Sequence, residues 1–328
     1  MQFRKIFLYA MICIGLGSCS AGNRGQEGTA STEASDVTSS GKTNEAVAFD
    51  ADSAYNYIAR QVALGPRVPN TSAHRQAGDW LAAELRRHGA EVTEQTMTLR
   101  AFDGTQLQSR NIFGQYNPEA SERILLLAHW DCRPWADKDP DPAKRLQPVD
   151  GANDGASGVG VLLEIARQLN QSAPQKGVDI LFVDAEDWGE EANDESWALG
   201  TKYFAENRPV EGYSPLGAIL LDMVGGKGAT FYREYFSERS APWLADAIWQ
   251  TASAAGYGAM FPNSLGSAVT DDHIQLISHG IPAIDIIDYR GEEGFYPDWH
   301  TSRDTMEGID RQTLQAVGET LMTFLRNF

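Results

Sequence analysis

Three stretches of this chain are apolar without interruption yet only four or five residues long: 124–128, 180–183 and 218–221. A strand with one face in water alternates apolar and polar residues. Short unbroken runs belong to strands buried on both faces, as in a parallel sheet covered by helices on either side. Residues 282–287, 92–99 and 111–116 read as further strands. Helical periodicity fills the intervals. Tyr55, Ile58 and Val62 share a face before the stop at Gly65-Pro66, and Ala77, Trp80, Leu81 and Leu85 follow Thr71-Ser72 and end at Gly89. Helices are also expected over 159–169 and 243–254, and a last one carries Leu314, Val317, Leu321, Phe324 and Leu325 on one side. No internal repeat and no second linker interrupt this pattern. The expectation is a single α/β domain, a mixed, mainly parallel central β-sheet with helices on both faces.

The N-terminus reads differently. Arg4 and Lys5 precede an apolar run, 6–16, too short to span a bilayer, and Leu16-Gly17-Ser18-Cys19 follows. Small residues leading into a cysteine resemble a bacterial lipobox, where cleavage leaves Cys19 carrying lipid. Residues 1–18 are expected to be a lipoprotein signal peptide. Residues 19–48, rich in Ser, Thr, Gly, Glu and Ala, are expected to be a flexible tether, and 49–328 the catalytic domain. The protein is thus expected to be exported and lipid-anchored at the membrane, periplasmic or on the outer membrane. A net charge of −18 argues against nucleic acid as a partner. Of three cysteines, Cys13 leaves with the leader and Cys19 takes lipid, so Cys132 is left without a partner for an intrachain disulfide. Nothing in the pattern demands more than a monomer.

In open sheets of this kind, ligands sit beyond the carboxyl ends of the strands. Acids or imidazoles follow each buried run there: His129-Trp130-Asp131, Asp184-Ala185-Glu186-Asp187, and Asp222. Gly151-Ala152-Asn153-Asp154-Gly155 opens a helix, and Trp299-His300-Thr301 lies far downstream. Any one of these residues could simply cap a helix or hydrogen-bond within a core. Together, two histidines and several carboxylates at one end of one sheet repel one another unless a cation joins them. Nitrogen and carboxylate oxygen in a tetrahedral set suit zinc. Trp130, Trp135, Trp188, Trp197 and Trp299 lie near these motifs and suggest an aromatic-walled pocket. Two other patterns fail. Asp137, Asp139 and Asp141 alternate like a calcium loop, but Pro142 and Pro148 stand where Gly and Glu are required, leaving a solvated acidic loop. Gly155, Gly158 and Gly160 lack dinucleotide-binding spacing and are read as letting a helix start close to Asp154.

The blocks "AHWDCRPWADKDP", "GANDGASGVGVLLEIA", "FVDAEDWG", "LLDMVG", "TDDHI" and "YPDWHTSRDT" occur in that order. They resemble the co-catalytic zinc aminopeptidase superfamily and, within it, the lipid-anchored bacterial glutaminyl cyclases. The resemblance implies an aminopeptidase-like fold and a zinc enzyme that converts the N-terminal glutamine of peptides or proteins to pyroglutamate and ammonia. It implies that Asp154, Asp187 and His300 bind zinc and that Glu186 is the general acid/base. It implies that Asp222 and Asp271 form an acidic network holding the substrate amine, and that Trp299 walls the glutamine pocket together with Trp188 or Trp197. His129 and Asp222 occupy positions that hold a second zinc in the aminopeptidases, whereas the cyclases bind one, and residue identity permits either count. Asp285 stands where animal cyclases carry a histidine. Two rival functions remain at this stage: an aminopeptidase using two zincs, and a metal-dependent peptide-binding lipoprotein without catalysis.

Overall fold

A computed structural model describes residues 48–328, so the expected signal peptide, Cys19 and nearly all of the tether lie outside the described residues. The elements in chain order are α1 (Ala51–Ala63), α2 (Ser72–Arg87), β1 (Glu91–Arg100), β2 (Gln106–Tyr116), β3 (Arg123–His129), α3 (Ala156–Gln171), β4 (Gly177–Val183), α4 (Leu199–Glu206), β5 (Gly217–Asp222), α5 (Tyr235–Ser240), α6 (Pro242–Ala254), α7 (Asp272–Ser278), β6 (Ala283–Ile287) and α8 (Arg311–Asn327). The six strands form one sheet in the order β1-β2-β4-β3-β5-β6. β4, β3, β5 and β6 run parallel, while β2 pairs antiparallel with β4, and β1 with β2. This is the mixed, mainly parallel sheet the apolar runs called for.

Side-chain alternation explains why those runs show no polar face. On β3, Ile124, Leu126 and Ala128 join the layer that holds Ile58 of α1, Leu81 of α2, Leu244 of α6 and Leu314 of α8. Leu125 and Leu127 point the other way, against Phe204 of α4 and Leu276 of α7. Both faces are covered, so both must be apolar. The helices α4, α5 and α7 span only eight, six and seven residues. Little more than two turns at most is too short to establish a 3.6-residue period, which is why they left no signal in the sequence.

Helix α3 lies directly on the sheet. A Cβ on Gly158 would stand 2.3 Å from the Leu221 carbonyl oxygen and 2.9 Å from the Ala128 Cβ, and one on Gly160 would stand 2.5 Å from Ile58. These glycines therefore set the helix height over β3 and β5, and with it the height of Asp154, which immediately precedes the helix. Cys132 is buried and free. No helix among the described residues is long and apolar enough to cross a membrane.

Candidate metal centre and active site

Because β3, β4 and β5 are parallel, their carboxyl ends lie side by side. His129 ends β3, Glu186 and Asp187 follow β4, and Asp222 ends β5. Asp154 enters from the loop before α3, where a Cβ on Gly155 would collide with the His129 ring at 2.4 Å. His300 arrives on the segment between β6 and α8. Ligand atoms of Asp154, Asp187 and His300 lie within 4.8 Å of one another, as do those of His129, Asp154 and Asp222. Asp154 faces both trios: its Oδ1 is 3.0 Å from His129 Nε2 and its Oδ2 is 3.6 Å from His300 Nε2. Ala185, Met223 and His300 hold positive φ angles of 53°, 49° and 54°. Non-glycine residues in that region cost about 1–3 kcal/mol each, and all three stand at the corners that aim the site's side chains.

The first trio fits a zinc ion. His300 Nε2 is 3.1 Å from Asp187 Oδ1 and 3.6 Å from Asp154 Oδ2. Bonds of about 2.0–2.1 Å from a tetrahedral ion place its ligands about 3.3 Å apart. Both Asp187 oxygens are buried without a directed hydrogen bond, as expected of lone pairs that converge on a common point. Outer hydrogen bonds fix these candidate ligands. Asp131 accepts the backbone N–H groups of Glu186 and Asp187, both at 3.2 Å. Asp304 accepts those of Asn153 at 2.8 Å and Asp154 at 3.1 Å. Arg133 donates to the carbonyls of Asp187 and Gly189 and grips Asp137 with two nitrogens. Asp137 in turn lies 3.6 Å from His300 Nδ1. The acidic loop 137–141 is therefore not simply solvated. Asp139 is buried and accepts from the N–H and hydroxyl of Ser302, pinning the segment that carries His300.

Charge crowding shifts the titration of these groups. Burial, reinforced by Asp154, pushes Asp187 up to about 6. Burial and the carboxylates of Asp187, Asp271 and Asp272 hold Glu186 well above the ordinary glutamate value, against the pull of His129. His129 is raised well above the usual imidazole value: burial opposes its charge, but Asp131, Asp154 and Asp222 outweigh burial. A divalent ion held here would be the largest local charge and would lower the carboxylate values again. Asp271 is raised well above its ordinary value by burial and by Asp222. Asp285 on β6 is fully buried, with neither oxygen hydrogen-bonded, and its ligand atoms cluster with those of Asp271 and His273. His273 Nε2 lies 3.2 Å from Glu234 Oε2. The sequence reading had not singled out Glu234, His273, Arg133 or Asp304. All but Glu234 lie within the motif blocks, which was the signal available for them.

A cavity of about 320 Å³ opens at this end of the sheet, lined by Asp154, Glu186, Asp222, Asp271, Trp197 and Trp299 among others. Trp299 stacks on the His300 ring at 3.8 Å, and Trp197 lies nearly parallel to that ring at 6.1 Å. Trp188 is not part of the lining. It packs edge-on against Trp135, 5.7 Å away, so of the two candidates for the second wall, the structure brings Trp197 to the cavity. Trp130 is a core residue, fully buried and stacked on His74 at 4.3 Å.

A family model for peptidase family M28 matches residues 111–325, from β2 into α8. The chain belongs to this family. Bacterial glutaminyl cyclases are close structural relatives within it. The solved glutaminyl cyclase of Porphyromonas gingivalis is 54% identical and superposes with a TM-score of 0.84, over 85% of this chain and 98% of that one. A Zn-dependent exopeptidase from Parabacteroides distasonis is 52% identical with a TM-score of 0.84, over 86% of this chain and 100% of that one. Among curated relatives, Aminopeptidase YwaD of Bacillus subtilis is 26% identical over 85% of this chain, which spans only 57% of its length. The family is zinc-dependent, and the trios around Asp154 are this member's candidate metal ligands.

Proposed function

We propose that this protein is a zinc-dependent glutaminyl-peptide cyclotransferase acting on peptides or proteins with N-terminal glutamine. The observation that carries this reading is the 54% identity with a glutaminyl cyclase across nearly the whole of that enzyme. The cavity supports it: about 320 Å³, walled by tryptophans, suits one side chain beside the metal ligands. Asp154, Asp187 and His300 would hold one zinc, which supplies Lewis acidity toward a carbonyl oxygen. Glu186, raised in proton affinity by burial, accepts a proton from the substrate α-amine as its nitrogen bonds to the side-chain amide carbon, Cδ. The same proton passes to the departing amide nitrogen, the carbon–nitrogen bond breaks, and ammonia leaves. Asp222 and Asp271, both lining the cavity, hold the amine in place. Nucleophile and electrophile share one residue, so fixing the reactive rotamer supplies much of the acceleration.

An aminopeptidase is the second reading. Asp154 facing two ligand trios and the 52% identical exopeptidase both favour it. Mass spectrometry on a glutamine-initial peptide separates the two: loss of ammonia supports the cyclase, and loss of the whole first residue overturns it. Glu186→Gln should lower turnover by about 10²–10⁴-fold with zinc content unchanged. Near-normal turnover in that variant removes Glu186 from its role.

A further inference from the structure

Arg67, in the segment between α1 and α2, is fully buried, yet no carboxylate among the described residues forms an ion pair with it. Burying a charge is costly unless directed partners replace its water. Three backbone carbonyls do so here, one for each guanidinium nitrogen. Nε donates to Trp130 at 3.3 Å, Nη1 to Asp150 at 2.5 Å and Nη2 to Gly151 at 2.6 Å. Arg67 also lies outside residues 111–325, the stretch that the family model matches.

Those carbonyls belong to the two segments that must meet at the metal. Trp130 follows β3, and its N–H donates to the Val183 carbonyl at the end of β4. The next residue, Asp131, accepts the backbone N–H groups of Glu186 and Asp187, so this side carries the candidate ligand Asp187. Asp150 and Gly151 open the loop that carries the other, Asp154. Gly151 holds φ at 62°, and a Cβ there would stand 2.3 Å from the Asp154 carbonyl oxygen and 2.9 Å from Arg67 Nη2. The loop therefore turns directly against the guanidinium. The Gly151 carbonyl also accepts the N–H of Ala156, the first residue of α3, at 3.3 Å. A planar fork of donors can hold two backbones at a fixed separation, which the single point of an ammonium cannot.

We propose that Arg67 is a positioning residue of the metal site, whose fork sets the separation of Asp154 from Asp187 and thereby the affinity for zinc. This rests on both carboxylates being zinc ligands, as in the reading above, and it holds for a cyclotransferase and an aminopeptidase alike. Arg67 acts only through backbone carbonyls, so its loss is felt in the geometry of the ligands.

The test is Arg67→Lys, which keeps the charge and loses the fork, set beside Arg123→Lys. Arg123 sits at the opposite end of β3, is also buried, and donates to the Asp179 carboxylate and to the carbonyls of Pro118 and Ala120. Zinc affinity is measured by chelator competition, and the melting temperature with and without zinc. Arg67→Lys should bind zinc about 10–100-fold more weakly, the range for loss of a group that orients metal ligands, and should lose part of the rise in melting temperature that zinc gives. Arg123→Lys should melt earlier with and without zinc while its zinc affinity matches the parent. Parental affinity in Arg67→Lys, or the same loss of affinity in both variants, overturns the proposal. Should Arg67→Lys not fold, Arg67→Gln, which keeps one amide donor group, is read in the same way. A parent protein that binds no zinc, or that binds it no better than Asp187→Asn, overturns the reading of the metal site and this inference with it, so the two failures are distinguishable.

Discussion

Gly158→Ala tests how closely the metal site depends on the packing of α3. The added methyl would meet the Leu221 carbonyl oxygen at 2.3 Å and the Ala128 Cβ at 2.9 Å. Non-bonded carbon atoms settle at about 3.5–4.0 Å, so the helix must lift from β3 and β5 by about 1 Å. The neighbours are a strand carbonyl and a short side chain in the middle of the sheet, and neither can swing aside. Overpacking of this kind costs about 1–3 kcal/mol. At about 2–4 °C per kcal/mol for a domain of this size, the melting temperature should fall by about 2–12 °C. The same lift carries Asp154, four residues upstream, away from Asp187 and His300. A misplacement of about 1 Å at a catalytic constellation can cost about 10²-fold in rate. Thermal unfolding and ammonia release measured on one preparation read both effects. Gly258→Ala serves as control, because its added methyl would find nothing nearer than Ser253 at 3.4 Å. A Gly158→Ala protein that melts and turns over like the parent would refute the close-packing argument. One that melts early but turns over normally would refute the link from helix height to Asp154.

Asp304→Asn should weaken zinc binding by about 10–100-fold in a chelator competition, because one of the two N–H groups now held by the carboxylate loses its acceptor. His88 gives a pH dependence of stability. It is 2% exposed, its Nε2 faces Tyr57 Oη at 2.8 Å and an Arg87 nitrogen at 3.0 Å, and burial followed by the Arg87 charge depresses it from 6.5 to about 4. The unfolded chain takes up this proton more readily, so its contribution is complete above pH 6.5, is lost as pH falls from there towards 4, and is down by at most about 2 kcal/mol at pH 5. Urea midpoints at pH 7 and pH 5 should therefore differ more in the parent than in His88→Gln. Trp197→Ala should raise KM by about tenfold, whereas Trp188→Ala should leave KM alone and lower only the melting temperature, since Trp188 packs on Trp135 outside the cavity.

The central strands were legible because burial on both faces leaves no freedom of residue type: 124–128, 180–183 and 218–221 all fall inside β3, β4 and β5. The outer part of β2 was not, because Gln106 to Arg110 pairs with the largely exposed end of β1 and its buried face holds one apolar residue, Leu107, beside Ser109, too few to show a period of two. Asp154, Asp187 and His300 could be listed from their motif blocks, yet their separations in the chain say nothing about distance in space. Arg133, Asp304 and the His273–Glu234 pair were invisible as functional groups for a related reason. A residue that works through backbone carbonyls, backbone N–H groups or a single buried partner has no spacing to betray it.

The sequence by itself determined the class of fold, the end of the sheet where chemistry gathers, and the residue types that meet there, because burial and strand order act through local pattern. Tertiary structure alone decided that Asp154 turns one oxygen to each ligand trio, that Trp197 and not Trp188 walls the cavity, and that the loop holding Asp139 braces the His300 segment. These depend on which backbone passes close to which, and that is set by packing over the whole sheet rather than by any run of neighbouring residues.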